Sequence, residues 1–316
     1  MSLVETIVAR WNRFLFTGYS AESLGALRVC LGAGYLLFLG TQFYSFLTIE
    51  PAGAHWVFSE RVWYVAAFDG SAHTPAISLV VLGVLFVATL SMTLGCRTHI
   101  SVAVVLLASV YLRGIRDSMM GDTHHRLYLW GAVFFFLLLS PCNRAYALDA
   151  RHLRGEVPEW SASWPIKAMQ LYTVSFYFWS FLAKLRVSGG DWAAGAKLQE
   201  MLLRRSVMWG LNEEGEPVRN ALAFHLAHHP ALLAILAVGV LLLEASFPAV
   251  LFLRSQRVRV AFLLVVTTFH LVNFVLLYVG FVLMPLLFVI FVDVEPFVQR
   301  VVRFVQRGGR VRVPNR

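Results

Sequence analysis

The sequence predicts an all-α fold, a polytopic membrane helix bundle of about eight transmembrane helices, and three observations carry that prediction. Of the 316 residues, 58% are hydrophobic and only 14% are charged, against about 25% charged in soluble domains. The shortfall runs along the whole chain, so a single anchor does not account for it, and most of the surface must face lipid. Apolar stretches also recur at close to the ~20 residues that span a bilayer.

Taken in order, the apolar segments cover residues 24–47, 76–94, 100–112, 127–140, 168–185, 231–253, 260–277 and 279–292. The third, fourth and eighth are shorter than the ~20 residues of a full span. They need flanking residues, or shielding by neighbours. The last two are separated only around Gly280. No internal repeat or low-complexity stretch is apparent. The expected organisation is an N-terminal segment 1–23, a transmembrane domain 24–292 with outer loops 48–75, 113–126 and 186–230, and a basic tail 293–316. Residues 1–23 carry Glu5, Arg10, Arg13 and Glu22 and lack the apolar run of a cleavable signal peptide.

Charge sets the expected orientation. The formal net charge is +9, which in a soluble protein would suggest nucleic acid. Here the excess lies in loops beside apolar helices and in the tail, where anionic headgroups attract it, and basic and aromatic residues do not interleave. Nucleic acid is therefore not an expected partner; membrane lipids are. With the N-terminus inside, 16 of the 27 Lys and Arg fall on the inner side and 10 on the outer. The positive-inside rule then places both termini in the cytoplasm, and the expected location is a bacterial inner membrane.

The three cysteines, Cys30, Cys96 and Cys142, form no CxxC pair and read as packed free thiols. The run His225-x-x-His228-His229 puts imidazoles on one helical face but lacks a clear third ligand. No metal is expected.

Ionisable groups inside a membrane are costly and are candidates for function by default. Arg28 and Glu244 lie within the first and sixth segments, and a structural ion pair between helices would account for both. His270 and Asn273, three residues apart in the seventh, share a helix face and suit an interhelical hydrogen bond as well as a ligand. Lys184 ends the fifth segment, where a lysine can snorkel to the interface without any further role.

Ordered motifs carry a resemblance. Residues 125–149, HRLYLWGAVFFFLLLSPCNRAYALD, resemble the Tyr-Leu-x-Gly to Asn-Arg to Asp segment of vitamin K-dependent gamma-carboxylases. Residues 176–195, FYFWSFLAKLRVSGGDWAAG, are similar to the Tyr-Phe, Lys-Leu, Asp-Trp-x-x-Gly segment of that family. Residues 241–252, LLLEASFPAVLF, resemble its acidic helix, and 269–280, FHLVNFVLLYVG, its Phe-His-x-x-Asn motif. Gly121-Asp122 resembles the wider horizontally transferred transmembrane (HTTM) family, to which those carboxylases belong. The likeness covers roughly residues 20–295.

The resemblance implies a chemistry. In the carboxylases a neutral lysine deprotonates vitamin K hydroquinone, oxygen turns the quinol into a strong base, and that base removes a glutamate γ-proton before carbon dioxide adds. The lysine falls on Lys184, with His270, Asn273, Tyr128, Trp192 and His125 as the implied quinone-binding residues and Arg28 and Glu244 as structural charges. The implied cofactor is a reduced quinone, vitamin K hydroquinone or menaquinol, with O2 and CO2 as co-substrates. A peptide substrate or a protein partner goes with it.

The departures are specific. His125-Arg126 stands where the carboxylases have Asn-His, Ala183 replaces a second lysine, and three extra residues separate Leu185 from Asp191-Trp192. The large luminal domain of the carboxylases has no counterpart after the last helix. The alternative is therefore a non-catalytic lipid- or quinone-binding membrane subunit of a larger complex. A transporter is disfavoured, because no paired Gly/Pro-broken helices appear, although Pro248 and Pro285 interrupt two segments.

Overall fold

The structure, a computed structural model, describes residues 2–48, 75–120, 128–207, 220–277 and 284–308. The described residues are helical or irregular, with no strand among them. They divide into two compact units, one formed by 1–169 with 293–316 and the other by 170–292.

The first unit begins with α1 (Leu3–Phe16). Ser2 accepts the Glu5 N–H while the Glu5 carboxylate accepts the Ser2 N–H, a reciprocal cap that satisfies two otherwise unpaired donors. Then come α2 (Ala21–Thr48), α3 (Pro75–Leu94), α4 (Thr98–Met120) and α5 (Tyr128–Leu138). A 3-10 turn spans Asp149–His152. The long α6 (Glu159–Ser188) starts in this unit and continues into the second. The closing helix, α12 (Glu295–Gly308), returns to the first unit and packs on α2.

Small residues set the α2–α3 approach: a Cβ on Gly32 would lie 3.2 Å from the Thr93 Cα and in hard collision with its hydroxyl. That closeness is how membrane helices gain packing where lipid removes the hydrophobic drive between them. α4 packs on α3 and α5. Between α2 and α5, the Tyr35 ring meets Phe134 edge-on at 4.7 Å and Trp130 at 5.0 Å.

The turn from α3 to α4 needs a left-handed backbone at Gly95 (φ +70°), where a side chain would also strike Ala147. Asp149 closes this turn. Its carboxylate accepts the Arg97 N–H at 2.9 Å, the Thr98 N–H at 2.7 Å and the Thr98 hydroxyl at 2.8 Å, capping the start of α4 from a distance in sequence. Partial burial works to raise this carboxyl, but the bonds from Thr98 and Arg97, with the Arg28 charge, outweigh it and hold its pKa below the usual value.

A carboxylate with a depressed folded pKa stabilises above its unfolded value, ~3.9, and loses that contribution as pH falls through the folded pKa. Asp149→Ala is therefore expected to lower stability by about 1 kcal/mol near neutral pH. The gap from the wild type should close progressively below about pH 4. Thermal melts of the purified protein across that range check it; a gap independent of pH would show that the carboxylate charge is not what caps α4.

The second unit holds the rest of α6, then α7 (Gly190–Ala193), α8 (Ala196–Ser206), α9 (Ala221–Ala227), α10 (Pro230–Ser246), a 3-10 turn (Phe247–Leu251), α11 (Gln256–Leu277) and a 3-10 segment (Met284–Phe291). Among the described residues, the stretch expected as an outer loop over 186–230 thus contributes three short helices. Two of them share a core with α10 and α11, in which Leu202, Ala223 and Ala227 pack with Leu233 and Leu277. Gly195 adopts φ +82° where α7 turns into α8, and a Cβ there would lie 2.7 Å from the Ala234 nitrogen. Polar side chains close the remaining gaps. Asn220 caps α9 through the Ala223 N–H at 3.0 Å and donates to the Val275 carbonyl at 2.7 Å. Gln199 donates to the Ala227 carbonyl at 2.8 Å.

Among the described residues, five helical stretches are long and apolar enough to cross a membrane: Ala21–Thr41, Ala76–Leu94, Thr98–Ile115, Pro230–Leu251 and Gln256–Leu277. These match the first, second, third, sixth and seventh expected segments, and the third is longer than its apolar run suggested. Of the other three, the fourth is the 11-residue α5, the fifth lies within the 30-residue α6, and the eighth is the 3-10 segment at 284–291. Outward faces stay apolar: Val80, Val84 and Val87 on α3 and Leu264, Leu271 and Val275 on α11 are exposed, as lipid contact requires.

Candidate functional site

Lys184 lies on α6 and Glu244 on α10, both in the second unit. The Lys184 Nζ donates to both oxygens of Glu244, at 2.6 and 2.8 Å. The carboxylate side chain is 7% exposed and the lysine side chain 22%. Removing either charge from such a place leaves the other poorly solvated, so the two are held together by what each would cost alone. The amine also sits 5.2 Å from the centre of the Trp192 ring, a cation–π contact from α7.

Trp192 supplies a further feature. Its indole Nε1–H is buried and has no hydrogen-bond partner among the described residues. A buried donor is ordinarily satisfied, and an orphan calls for an explanation such as an absent acceptor. Lys184, Glu244 and Trp192 therefore form one cluster: a cation, its counter-ion, and a donor without an acceptor among the described residues.

Two turns before Lys184 on α6 is Tyr177, whose hydroxyl lies 2.6 Å from Nε2 of the buried His270 on α11. Its ring stacks on Phe247 with centroids 3.9 Å apart. Phe288 flanks the same pair. The Tyr177–His270 bond fixes the imidazole by one nitrogen. Asn273 is half-buried on α11, one turn beyond His270. Tyr128 is the first residue of α5 and belongs to the first unit. His125 lies outside the described residues.

The expectation that Arg28 and Glu244 pair with each other is replaced by separate partners. Glu244 is taken by Lys184. Arg28, fully buried on α2, is held by backbone carbonyls. Its Nε donates to Cys142 at 3.0 Å, Nη1 to Met92 and to Thr93 at 3.0 Å, and Nη2 to Tyr146 at 2.5 Å. Met92 and Thr93 lie in the last turn of α3, where free carbonyls carry the negative end of the helix dipole. A planar fork of donors suits such a target; a lysine would not span it. Sequence reasoning missed Tyr177 as a partner for His270, although its place seven residues before Lys184 puts both on one face of α6.

Among the described residues no group of His, Cys, Asp and Glu is arranged to hold a metal. His228 points its Nδ1 at the Phe224 carbonyl, 2.8 Å away.

Long apolar helices with lipid-facing exteriors, and ionisable side chains buried between helices, define a polytopic integral membrane protein. The HTTM domain family model matches residues 16–295, and the chain belongs to the HTTM family. The gamma-carboxylase likeness of its motifs fits that membership. No curated protein and no solved structure matches the chain.

Proposed function

We propose that this HTTM protein carries out quinol-linked deprotonation chemistry at the Lys184–Glu244–Trp192 cluster, on the outer side of a bacterial inner membrane with both termini cytoplasmic. The observation that carries the reading is the orphaned Trp192 N–H beside a lysine whose counter-ion is a buried carboxylate. A quinol would suit that set: Trp192 offers a donor for an oxygen, and Lys184 a nitrogen base for a phenolic proton. A bound reduced quinone would supply, with O2 and CO2, the oxygenation or carboxylation chemistry that the family resemblance implies.

The chain's own part is proton handling. Lys184 accepts a proton only as the neutral amine. Glu244, which accepts from the Lys184 amine through both oxygens, is the group positioned to take a proton from it. Lys184 would be the residue that accepts the phenolic proton of a bound quinol, and Glu244 would hold it in place as its counter-ion. Trp192 would position the ligand, and His270, fixed by Tyr177, would line the same unit's polar interior with Asn273.

A second reading has its own support. The bidentate contact between Lys184 and Glu244 also describes a plain structural ion pair, and then the protein is a non-catalytic quinone- or lipid-binding subunit. Mass spectrometry of lipids co-purified with the protein tests the binding step. A quinone near stoichiometric amount is expected, and Trp192→Phe, which keeps the ring and removes the donor, should lower its retention about fivefold, the value of one hydrogen bond. Phospholipids alone, or a quinone held equally by Trp192→Phe, would remove this site from the proposal.

A further inference from the structure

We propose that α1 and α12 are interfacial anchors, lying on one surface of the bilayer and binding its anionic lipid headgroups.

Both helices leave apolar residues uncovered. α1 has no buried residue, and Leu3, Val4, Ile7, Val8 and Trp11 are all exposed. At 100° per residue these form one face of the helix, while Arg10 and Arg13 stand on its flank and opposite side. α12 is divided along its length. Val298 is buried, where the helix packs on α2. Phe297, Val301 and Phe304 make a neighbouring apolar edge that is exposed, Phe304 by 78%. Arg300 and Arg303 project from the other side and are exposed. Such a helix, apolar on one edge and arginine-rich on the other, is the form that lies in the headgroup region with its apolar edge at the acyl boundary.

Both helices also depart from the same end of the first unit. The Glu159 carboxylate accepts the Gly18 N–H at 2.6 Å, and Ser163 bonds the Tyr19 backbone, which ties the end of α1 to the start of α6. Lys167 on α6 sits 4.5 Å from the Phe14 ring. The start of α12 is tied to the start of α2 by the Ser23 hydroxyl donating to Glu295 at 2.9 Å. One membrane surface therefore serves both helices.

Charge selects the lipid. Residues 295–316 carry six arginines against one carboxylate. Of the acidic groups here, Glu5 is engaged in the α1 cap, Glu159 on Gly18, Glu295 on Ser23 and Gln299, and Asp293 on the Glu295 N–H, while Glu22 and Glu156 are exposed. Arg10, Arg13, Arg300 and Arg303 are exposed, and anionic headgroups complement them. The bilayer is already at hand, because α2, which follows α1, crosses it.

The test uses the full chain with Cys30, Cys96 and Cys142 changed to Ala and one new cysteine for an environment-sensitive dye. The sites are Phe304→Cys or Arg303→Cys on α12, and Ile7→Cys or Arg13→Cys on α1. Each protein is placed in nanodiscs of phosphatidylcholine alone, or with about one third phosphatidylglycerol, an anionic content high enough to set up a surface potential. In the anionic discs the dye at 304 and at 7 is expected to shift to the blue and be quenched by spin-labelled lipid, while the dye at 303 and at 13 stays in water. The shift at 304 should be lost on Arg300→Glu with Arg303→Glu, a pair outside the packed edge and so compatible with folding. A dye at 304 as wet as that at 303 in both lipids overturns the proposal. So does a shift at 304 that is equal in the two lipids and indifferent to the charge reversal, since a second copy or another protein would then cover the edge.

Discussion

Lys184→Arg is expected to give a folded protein that no longer converts a supplied quinol to its epoxide in the presence of oxygen. Arginine keeps the positive charge, and its fork can engage both oxygens of Glu244 as Lys184 does at 2.6 and 2.8 Å. The packing reason for a cation on α6 is thereby preserved. The proton chemistry is not, because a guanidinium stays protonated in a protein and cannot become a neutral base. Losing a positioned base costs about two to four orders of magnitude in rate. Chromatographic separation of quinol, quinone and epoxide after timed exposure to oxygen reads the loss directly, and no acceptor substrate has to be known. A melting temperature within a few degrees of wild type keeps the comparison fair. Undiminished conversion by the arginine variant would eliminate Lys184 as the base. Absence of turnover in the wild type would turn the balance toward the non-catalytic reading, in which the pair is structural.

The parts legible in the sequence were those with a local signature. Long apolar runs announced α2, α3, α10 and α11, because lipid imposes their length and polarity residue by residue. α1 was not read from the sequence, although Ser2 and Glu5 have the three-residue spacing of the cap that forms there. The helices inside 186–230 were hidden for the opposite reason: α8 carries Arg204, Arg205 and Lys197, and its apolar face is a narrow stripe of Leu198, Met201 and Leu202. A stripe of that kind shows its purpose only once α9, α10 and α11 are seen packed around it. The pairing of charges was equally non-local. Lys184 and Glu244 are 60 residues apart, and only the arrangement of α6 and α10 joins them. The partners of Arg28 are backbone carbonyls, which every residue possesses and which no sequence pattern marks. An arginine in an apolar helix therefore suggested a carboxylate, and Glu244 was the nearest candidate in type rather than in space.

Arg28→Leu is expected to produce the largest loss of stability of any single change in the first unit. The substitution strands the carbonyls of Cys142, Met92, Thr93 and Tyr146 around an apolar side chain at a fully buried site. Each carbonyl so exposed to low dielectric loses a charge-assisted bond, and breaking a buried ionic contact costs about 3–5 kcal/mol in total. Glu244→Leu should also destabilise, by stranding Lys184. The double change separates two accounts of these charges. If Arg28 and Glu244 compensated each other, removing both would recover much of the loss. The hydrogen bonds assign them separate partners, so the losses are expected to add within about 0.5 kcal/mol. Lys184→Met with Glu244→Leu should behave otherwise and fall well short of additivity, because the second substitution removes the charge that the first left alone. Unfolding of the three single and two double variants, followed in mixed micelles, gives the values needed. Recovery in the Arg28→Leu, Glu244→Leu protein would refute the separate pairing, and with it the freedom of Glu244 to hold a proton for Lys184.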